Sequence, residues 1–244
     1  MKYTSKKIVS ISDTNAKAVL SLIHAADIIQ NNNNRLFKEL GIDQITMSSK
    51  FGFVWIVTKN KIQSYDDIPW NTEMKVESYI SSKTPARMVI DTAFKDKEEH
   101  ILLYSKVETC LFDLNENKIK RITDDIFEES IDIIQPEKSF NYERFDSGLE
   151  YSLCDEITVR SYNVDSSYHT NNVEYIRFIL GTYSVEETLN TEISEFEIKY
   201  ISQSYEKDKL QILKYSCDGV DNFIIMNNDT EIVRCRVKLK KNKQ

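Results

Sequence analysis

The chain has 244 residues, of which 41% are hydrophobic and 11% aromatic, so it is long enough to bury a core in one domain or two. It contains only 5 glycines and 3 prolines, and even the closest glycines, Gly41 and Gly52, are too far apart for G-x-G-x-x-G, a phosphate loop or G-x-S-x-G. This spacing disfavours Rossmann enzymes, P-loop NTPases and ordinary α/β-hydrolases, and the net charge of −7 disfavours a nucleic-acid partner.

The first predicted element is one long helix over residues 13–40. Asp13 stands at its N-cap position and Gly41 follows its last residue. Apolar residues with helical spacing form its buried stripe: Val19, Leu22, Ile23, Ala26 and Ile29. Asn31–Asn34 are poor helix formers, so the helix is expected to end or break there.

After this helix, the spacing of apolar residues changes from the helical period to the alternation typical of antiparallel strands. Four segments rich in β-branched and aromatic residues follow the helix, at 51–65, 74–80, 86–94 and 100–114. An acidic, irregular connector covers 123–148. The pattern then restarts with a strand at 156–162, a helix at 171–183, and strands near 194–205, 208–217, 220–227 and 230–240.

The second half thus repeats the first. DTNAK (13–17) aligns with DSSYH (165–169), and KIQSYD (61–66) aligns with ISQSYE (201–206), in the same order. A helix followed by four or five antiparallel strands, occurring twice, predicts an α+β chain in which each sheet wraps a central helix. The predicted boundaries are 1–130 for the first domain, 131–149 for the connector and 150–244 for the second domain.

The four cysteines form no C-x-x-C pair and no zinc-finger spacing, which predicts reduced thiols in a cytoplasmic protein. The N-terminus has no apolar run typical of a signal peptide. His24 and Asp27 interrupt the longest helical apolar stretch, so no membrane span is expected.

Of the three histidines, His24 lies within the apolar stripe of the first helix, and this placement favours a core or pocket-lining role. His100 adjoins a charged turn and is expected to be a solvated loop residue. No second His or Cys stands at ligand spacing from His169, so no metal is predicted.

Of the three histidines, His169 has the most potential catalytic and capping residues near it in the sequence. The Asp165 carboxylate, four residues upstream, could orient the imidazole, while Asn171 and Asn172 could cap the following helix. Free N–H groups at a helix start can polarise a carbonyl oxygen, so the pattern is hydrolase-like. The alternative is that these residues only shape a loop before the helix and that His169 is a bystander.

The segment NVDSSYHTNNVEYIRF (163–178) resembles the D-x-N-G-H-V-N-N-x-x-Y signature of acyl-acyl carrier protein (acyl-ACP) thioesterases. Segment 51–80, with its W-V-like strand and P-W turn, also resembles this family, as do FDL (112–114) and the strand pair at 198–213. The resemblance implies two tandem hot-dog domains, the first forming the acyl pocket and the second carrying the catalytic residues.

Residue by residue, Asp165 and His169 match the family's catalytic Asp and His, and Asn172 matches an Asn at the helix start. Ser167 replaces the signature's Asn, Gln203 replaces a downstream Glu, and Ser204 replaces the Cys of plant members. Thr109 replaces a Trp of the family, and the alignment places Lys17 of the first domain opposite His169.

The resemblance implies hydrolysis of fatty acyl-ACP by a bound water, without cofactor or metal. In this hypothesis His169, oriented by Asp165, is the acid or base, and Gln203 with Ser167 positions the water. Asn171, Asn172, Ser204 and His24 are predicted to contact the substrate. Acyl-coenzyme A hydrolysis and non-catalytic acyl binding are the alternatives, and the oligomeric state stays open, a homodimer included.

Overall fold

The computed structural model describes residues 1–127 and 131–241. The first half contains β1 (Lys2–Ile8), α1 (Leu22–Glu39), α2 (Gln44–Phe51), β2 (Phe53–Ser64), β3 (Glu73–Lys83), β4 (Met88–Lys95), β5 (Ile101–Asp113) and β6 (Lys118–Lys120). The second half contains β7 (Ser152–Thr158), α3 (Asn172–Leu180), α4 (Val185–Asn190), β8 (Thr191–Tyr200), β9 (Lys209–Cys217), β10 (Val220–Asn227) and β11 (Thr230–Lys241).

All of these strands join one antiparallel sheet in the order β1-β3-β4-β5-β2-β8-β11-β10-β9-β7, with β6 paired to β5. β2 and β8 pair with each other and thereby join the two halves. Read outward from this junction, each half has the same strand order, and the apolar residues of α1 and α3 are buried against the sheet. The predicted α+β architecture and its duplication are confirmed.

Helix α1 begins later than the sequence predicts. Its N-cap is Ser21, whose Oγ accepts a hydrogen bond from the His24 N–H at 3.2 Å. Asp13 instead lies in a 3₁₀ turn, where its Oδ2 accepts from the Ser10 N–H at 2.9 Å. Asp13 has the right chemistry for a cap, but the chain uses it to close a turn ahead of a loop.

The asparagine run does not break α1. Asn32 and Asn33 are buried, and their amides bond to the sheet instead of competing with the helix backbone. Asn32 Nδ2 donates to Ser78 Oγ at 3.1 Å, and Asn33 Oδ1 accepts from Thr92 Oγ1 at 2.9 Å. These contacts with β3 and β4 offset the low helix propensity of asparagine.

Several further elements differ from the sequence prediction. β1 and α2 are present although neither was predicted, and α2 ends at Gly52 with a φ of 70°. The helix predicted over 171–183 is the shorter α3, whose C-cap is Gly181, and the unpredicted α4, with Ser184 as its N-cap, lies beyond the predicted range.

The duplication has a different register from that of the short sequence matches. Asp165 Oδ1 accepts from the Ser167 N–H at 2.8 Å, and Asn15 Oδ1 accepts from the Lys17 N–H at 2.9 Å, so Asn15 is the counterpart of Asp165. The Asp165 N–H donates to the His169 carbonyl and the Asn15 N–H to the Val19 carbonyl. Val19, and not Lys17, therefore corresponds to His169.

The second sequence match shifts in the same way. The Thr170 N–H donates to the Ser204 carbonyl at 2.8 Å, and the Leu20 N–H donates to the Ile68 carbonyl at 2.7 Å. Ile68 is thus the counterpart of Ser204, and the alignment of 61–66 with 201–206 is wrong. Backbone hydrogen bonds define the register between the two halves, whereas identical residues in short polar segments do not.

The connector lies over an ionic cluster at the junction of the halves. Lys61 of β2 is only 1% exposed, and its Nζ lies 3.0 Å from Glu195 Oε1 and 2.9 Å from Glu197 Oε2 of β8. The connector contributes the Asn141 carbonyl, which accepts from Lys61 Nζ at 3.0 Å. The domain boundaries 1–130, 131–149 and 150–244 remain a prediction.

We expect Lys61→Met to lower the free energy of unfolding by about 3–5 kcal/mol at pH 7, because the buried Glu197 loses its ion pair and Glu195 keeps only its pair with Lys238. Protonation of these carboxylates relieves their repulsion, so the deficit should shrink as the pH falls from 7 to 5. Urea denaturation at both pH values measures it, with Lys6→Met, which disrupts only an exposed pair, as the control. An equal deficit at the two pH values would contradict this account.

Candidate active site

A short loop before α3, residues 164–171, carries half of the predicted site residues and is called the site loop below. Its ends are joined by a bridge between Val164 and Thr170. Within it, the Tyr168 N–H donates to the Asp165 carbonyl at 3.0 Å, and Tyr168 has a φ of 64°. The Asp165 carboxylate fixes this turn by accepting from the Ser167 N–H.

His169 is half-buried in the site loop, and its Nδ1 lies 3.3 Å from the Thr170 carbonyl oxygen. A carbonyl can only accept, so this contact favours the tautomer with the proton on Nδ1 and a lone pair on Nε2. The predicted hydrogen bond between Asp165 and the imidazole is absent from the described structure. Thr170 O takes that position, because the Asp165 carboxylate is used to hold the turn.

The two asparagines that follow have different roles. Asn171 is the N-cap of α3, and its Oδ1 accepts from the Val173 N–H at 2.9 Å. Asn172 is the first residue of the helix, and its N–H has no acceptor among the described residues. This N–H lies at the positive end of the helix dipole, where it can polarise an oxygen atom.

Charged groups beside this helix start are paired with each other. Glu174 Oε1 accepts from Arg177 Nε at 3.0 Å, and Glu174 Oε2 accepts from Asn163 Nδ2 at 2.6 Å. Arg177 Nη2 also lies 3.7 Å from Asp27 Oδ2 of α1. Burial raises the pKa of the Asp27 carboxyl. The Glu174 charge in the first turn is therefore balanced by a cation.

A buried hydroxyl network joins the site loop to the segment after β8. Ser204 is 0% exposed, and its Oγ lies 2.7 Å from Thr170 Oγ1 and 2.9 Å from the Tyr175 hydroxyl. Burial raises the pKa of Tyr175, so its hydroxyl stays protonated. Ser204 thus connects protein segments, and it is not among the residues that line the cavity described below.

Gln203 stands next to this network and is exposed. Its Oε1 accepts from the Tyr205 hydroxyl at 3.2 Å. Gln203 and His169 each immediately precede one partner of the Thr170–Ser204 pair, so both residues lie near this contact. Ser167 is exposed on the same loop.

We expect Ser204→Ala to lower the free energy of unfolding by about 1–3 kcal/mol, because it removes a buried hydroxyl that two other hydroxyls share. Urea denaturation measures the effect. Ser202→Ala, two positions away and exposed, is the matched control and should lie within about 0.5 kcal/mol of the wild type. Equal losses for the two variants would show that the network does not hold these segments together.

A cavity of about 100 Å³ begins at the first turn of α3. The second half contributes Asn172, Val173, Ile176 and Tyr200 to its lining. The first half contributes a larger share, in which apolar side chains that include Ala26, Ile29, Phe37, Trp55, Val57 and Val107 stand beside polar ones that include Gln30, Asn33, Asn60 and Thr109. An apolar cavity with a polarising N–H and an imidazole-bearing loop at one end suits a long aliphatic group with a reactive carbonyl head.

His24 does not line this cavity, which corrects its predicted position there. Its Nδ1 lies 2.7 Å from Ser21 Oγ at the start of α1, at the other end of the helix from Phe37. The stripe correctly places His24 on a helix but does not say which end meets the cavity. His100 is exposed and its Nδ1 lies 3.1 Å from Asp96 Oδ2, as expected for a solvated loop.

Thr170 and Tyr175 are site residues that the sequence reading missed, although both lie in the quoted segment 163–178. Within the residues that the structure describes, no three His, Cys, Asp or Glu side chains are grouped as a metal would require. Over the same residues, no helix is both long and apolar enough to cross a membrane.

Comparison with known families identifies the family of this chain. Residues 1–130 match the family model for the acyl-ACP thioesterase N-terminal domain, and residues 147–244 match the model for the C-terminal domain. The chain belongs to the acyl-ACP thioesterase family. It is a thioester hydrolase that acts on fatty acyl-ACP, as the resemblance in its sequence implied.

Solved structures agree on the fold of this thioesterase. An acyl-ACP thioesterase from Bacteroides thetaiotaomicron superposes with a TM-score of 0.85 at 16% identity, covering 98% of each chain. A 12:0-ACP thioesterase from Umbellularia californica superposes with a TM-score of 0.82 at 17% identity, covering 99% of this chain and 98% of that one. The tandem hot-dog fold is confirmed. No curated protein matches the sequence at a significant level.

Proposed function

We propose that this thioesterase cleaves fatty acyl-ACP by direct attack of water at the start of α3, with His169 as the proton-transfer group. The observation that carries the proposal is the Asn172 N–H, which has no acceptor among the residues that the structure describes and belongs to a residue lining the apolar cavity. The acyl chain occupies this cavity and its thioester carbonyl lies at the helix start. The site loop then stands beside the reacting carbon.

The first step is addition of water to the thioester carbonyl. The Asn172 N–H and the helix dipole stabilise the negative charge that develops on the carbonyl oxygen. The Nε2 lone pair of His169 takes one proton from the attacking water as the new C–O bond forms. Thr170 O, by accepting from Nδ1–H, stabilises the imidazolium that results.

The second step is collapse of the tetrahedral intermediate. The C–S bond breaks, and the imidazolium returns its proton to the leaving thiolate of the carrier protein. A free fatty acid and a carrier thiol are the products, and His169 is neutral again. In this mechanism Asp165 acts through the loop: its carboxylate holds the turn that positions His169.

Gln203 and Ser167 take the positions of the family's Glu and Asn and hold the water by hydrogen bonds. A glutamine amide can orient a water but cannot remove its proton. Since Gln203 is exposed next to the buried Thr170–Ser204 pair, its amide can reach a water shared with His169 without disturbing the core.

We expect Gln203→Glu to raise kcat severalfold, because the new carboxylate supplies a second base at nearly unchanged volume. The kcat of the variant should fall as the pH drops through the pKa of the new carboxyl, since only the ionised form accepts a proton. Gln203→Met, of similar length and without the amide, is the control and should be slower than the wild type. If both variants equal the wild type over the whole pH range, Gln203 does not contact the water.

The direct test of the proposed function is release of free thiol from acyl-ACP and acyl-coenzyme A substrates of matched chain length. Turnover of acyl-ACP with a higher kcat/KM than acyl-coenzyme A is the expected result. Bound acyl chain with no thiol released from either carrier would contradict catalysis by this site and support acyl binding alone.

Both hot-dog units lie in one chain, so the proposed chemistry does not depend on a homodimer. The proposed location is the cytoplasm. Its support is that all four cysteines are unpaired and that two of them, Cys154 and Cys217, are exposed, which fits a reducing compartment.

A further inference from the structure

A second cavity, of about 190 Å³, lies at the start of α1. The loop before α1 and its first turn line one side of it, including Val19 and Ile23. The second half closes the other side with the end of α3, with α4, and with β8 and β11. The second cavity is thus built from both halves, as the active-site cavity is.

The two cavities are counterparts under the duplication. The helices align through their N-caps, Ser21 and Asn171, so Ile23 of the second cavity corresponds to Val173 of the first. The strands align through their pairing: Val57 pairs with Thr109, and Ile193 pairs with Leu239. Val57 and Thr109 line the first cavity, and Ile193 and Leu239 line the second.

The second cavity is the more apolar at these positions. Leu239 stands where the first cavity has Thr109, and Leu22 stands where it has Asn172. Counted forward from the two N-caps, Leu180 of the second cavity corresponds to Gln30 of the first. These exchanges replace hydrogen-bonding side chains by aliphatic ones, so the second cavity offers an alkyl chain aliphatic contacts at these three positions, while polar and charged residues line other parts of it.

The second cavity differs from the first in the residue that stands at the position of the catalytic histidine. Val19 takes the backbone position of His169, and a valine cannot transfer a proton. His24, the nearest histidine along the chain, is bonded to Ser21 and does not line the second cavity. A thioester held there would have no imidazole beside it in the arrangement of the active site.

The charges around the second cavity select the head group. Asp67 and Glu192 contribute two carboxylates to its lining and Lys17 contributes one ammonium group, whose Nζ donates to the Thr191 carbonyl at 2.7 Å. The balance is negative, which repels the carboxylate of a free fatty acid. Asn15, Ser21 and Thr188 supply uncharged hydrogen-bonding groups for a neutral head.

We propose that the second cavity is a non-catalytic binding site for the alkyl chain of an uncharged fatty acyl compound, such as a thioester or amide. The ligand class rests on the proposed function, in which the first cavity holds the acyl chain. The cavity and its correspondence to the first do not depend on that proposal.

The probe is N-(2-hydroxyethyl)octanamide with a ¹³C-labelled carbonyl, which the enzyme's thioester chemistry leaves intact. Matched variants fill one cavity each: Ile193→Trp in the second and, at the corresponding position, Val57→Trp in the first. We expect two bound carbonyl signals from the wild-type protein. Ile193→Trp should lose one of them and Val57→Trp the other.

A single bound signal that Val57→Trp abolishes and Ile193→Trp keeps would overturn the second site and leave the proposed function standing. No bound signal at all would count against both. If either tryptophan variant fails to fold, an octanamide with a diazirine at its chain end is photo-crosslinked to the wild type. Labelling near Leu180 and Leu239, besides labelling near Phe37, supports the second site, whereas labelling near Phe37 alone overturns it.

Discussion

His169→Ala should lower kcat by about two to four orders of magnitude, the usual contribution of a positioned proton-transfer group. In the proposed mechanism the imidazole moves a proton twice, from the water and then to the thiolate, and alanine can do neither. KM should change less, because the acyl chain is bound by the cavity. Thiol release from an acyl-ACP substrate measures both constants.

The same substitution should leave the thermal midpoint nearly unchanged. His169 is half-buried, and its hydrogen-bonded contact, with Thr170 O, is long at 3.3 Å. His100→Ala is the matched control, since it removes an exposed histidine distant along the chain and should retain the wild-type kcat. Retention of full activity in His169→Ala would remove His169 from the mechanism. A large fall in Tm would assign it a structural role.

Much of the fold could be predicted from the sequence because apolar residues follow the helical period of 3.6 residues and the strand period of two residues clearly. Strand and helix patterns alternate over most of the chain, and the predicted strand at 220–227 has the bounds of β10. The capping preference of single residues was not enough to predict where helix α1 begins. Asp13 and Ser21 are both good caps, and only tertiary contacts select between them.

The catalytic segment could be found because its residues are close in sequence. Its surroundings could not, since the contact between Thr170 and Ser204 joins residues from different elements. The register between the two halves could not be found from residue identities either. Asn15 and Asp165 perform the same turn chemistry with different side chains, so matching identical residues selected Asp13 instead.

The position of His24 shows a similar limit. A 3.6-residue stripe predicts which face of α1 is buried, and His24 does lie on a helix that reaches the active-site cavity. The helix is long enough to meet both cavities, one at its first turn and one along its later turns. Which end faces the reacting carbonyl depends on how the second half packs against the first.

Asn172→Pro should lower kcat by about 10²–10³-fold, which is the usual effect of removing one oxyanion donor. The substitution deletes the Asn172 N–H, for which the described part of the chain provides no acceptor. Proline is well tolerated at the first position of a helix, where the N–H is not used by the helix. Asn171, the residue before it, is extended with φ of −61° and ψ of 140°, which a following proline requires.

Asn172→Ala separates the backbone N–H from the side chain, because it removes the amide group and keeps the N–H. We expect the proline variant to be slower than the alanine variant by at least about tenfold, with similar thermal midpoints for the two. Thiol release and circular dichroism measure these quantities. Equal kcat values for the two variants would mean that the oxyanion is stabilised elsewhere, and a loss of helix in the proline variant alone would be visible as a lower midpoint. The comparison therefore tests the group that polarises the thioester independently of the group that moves the proton.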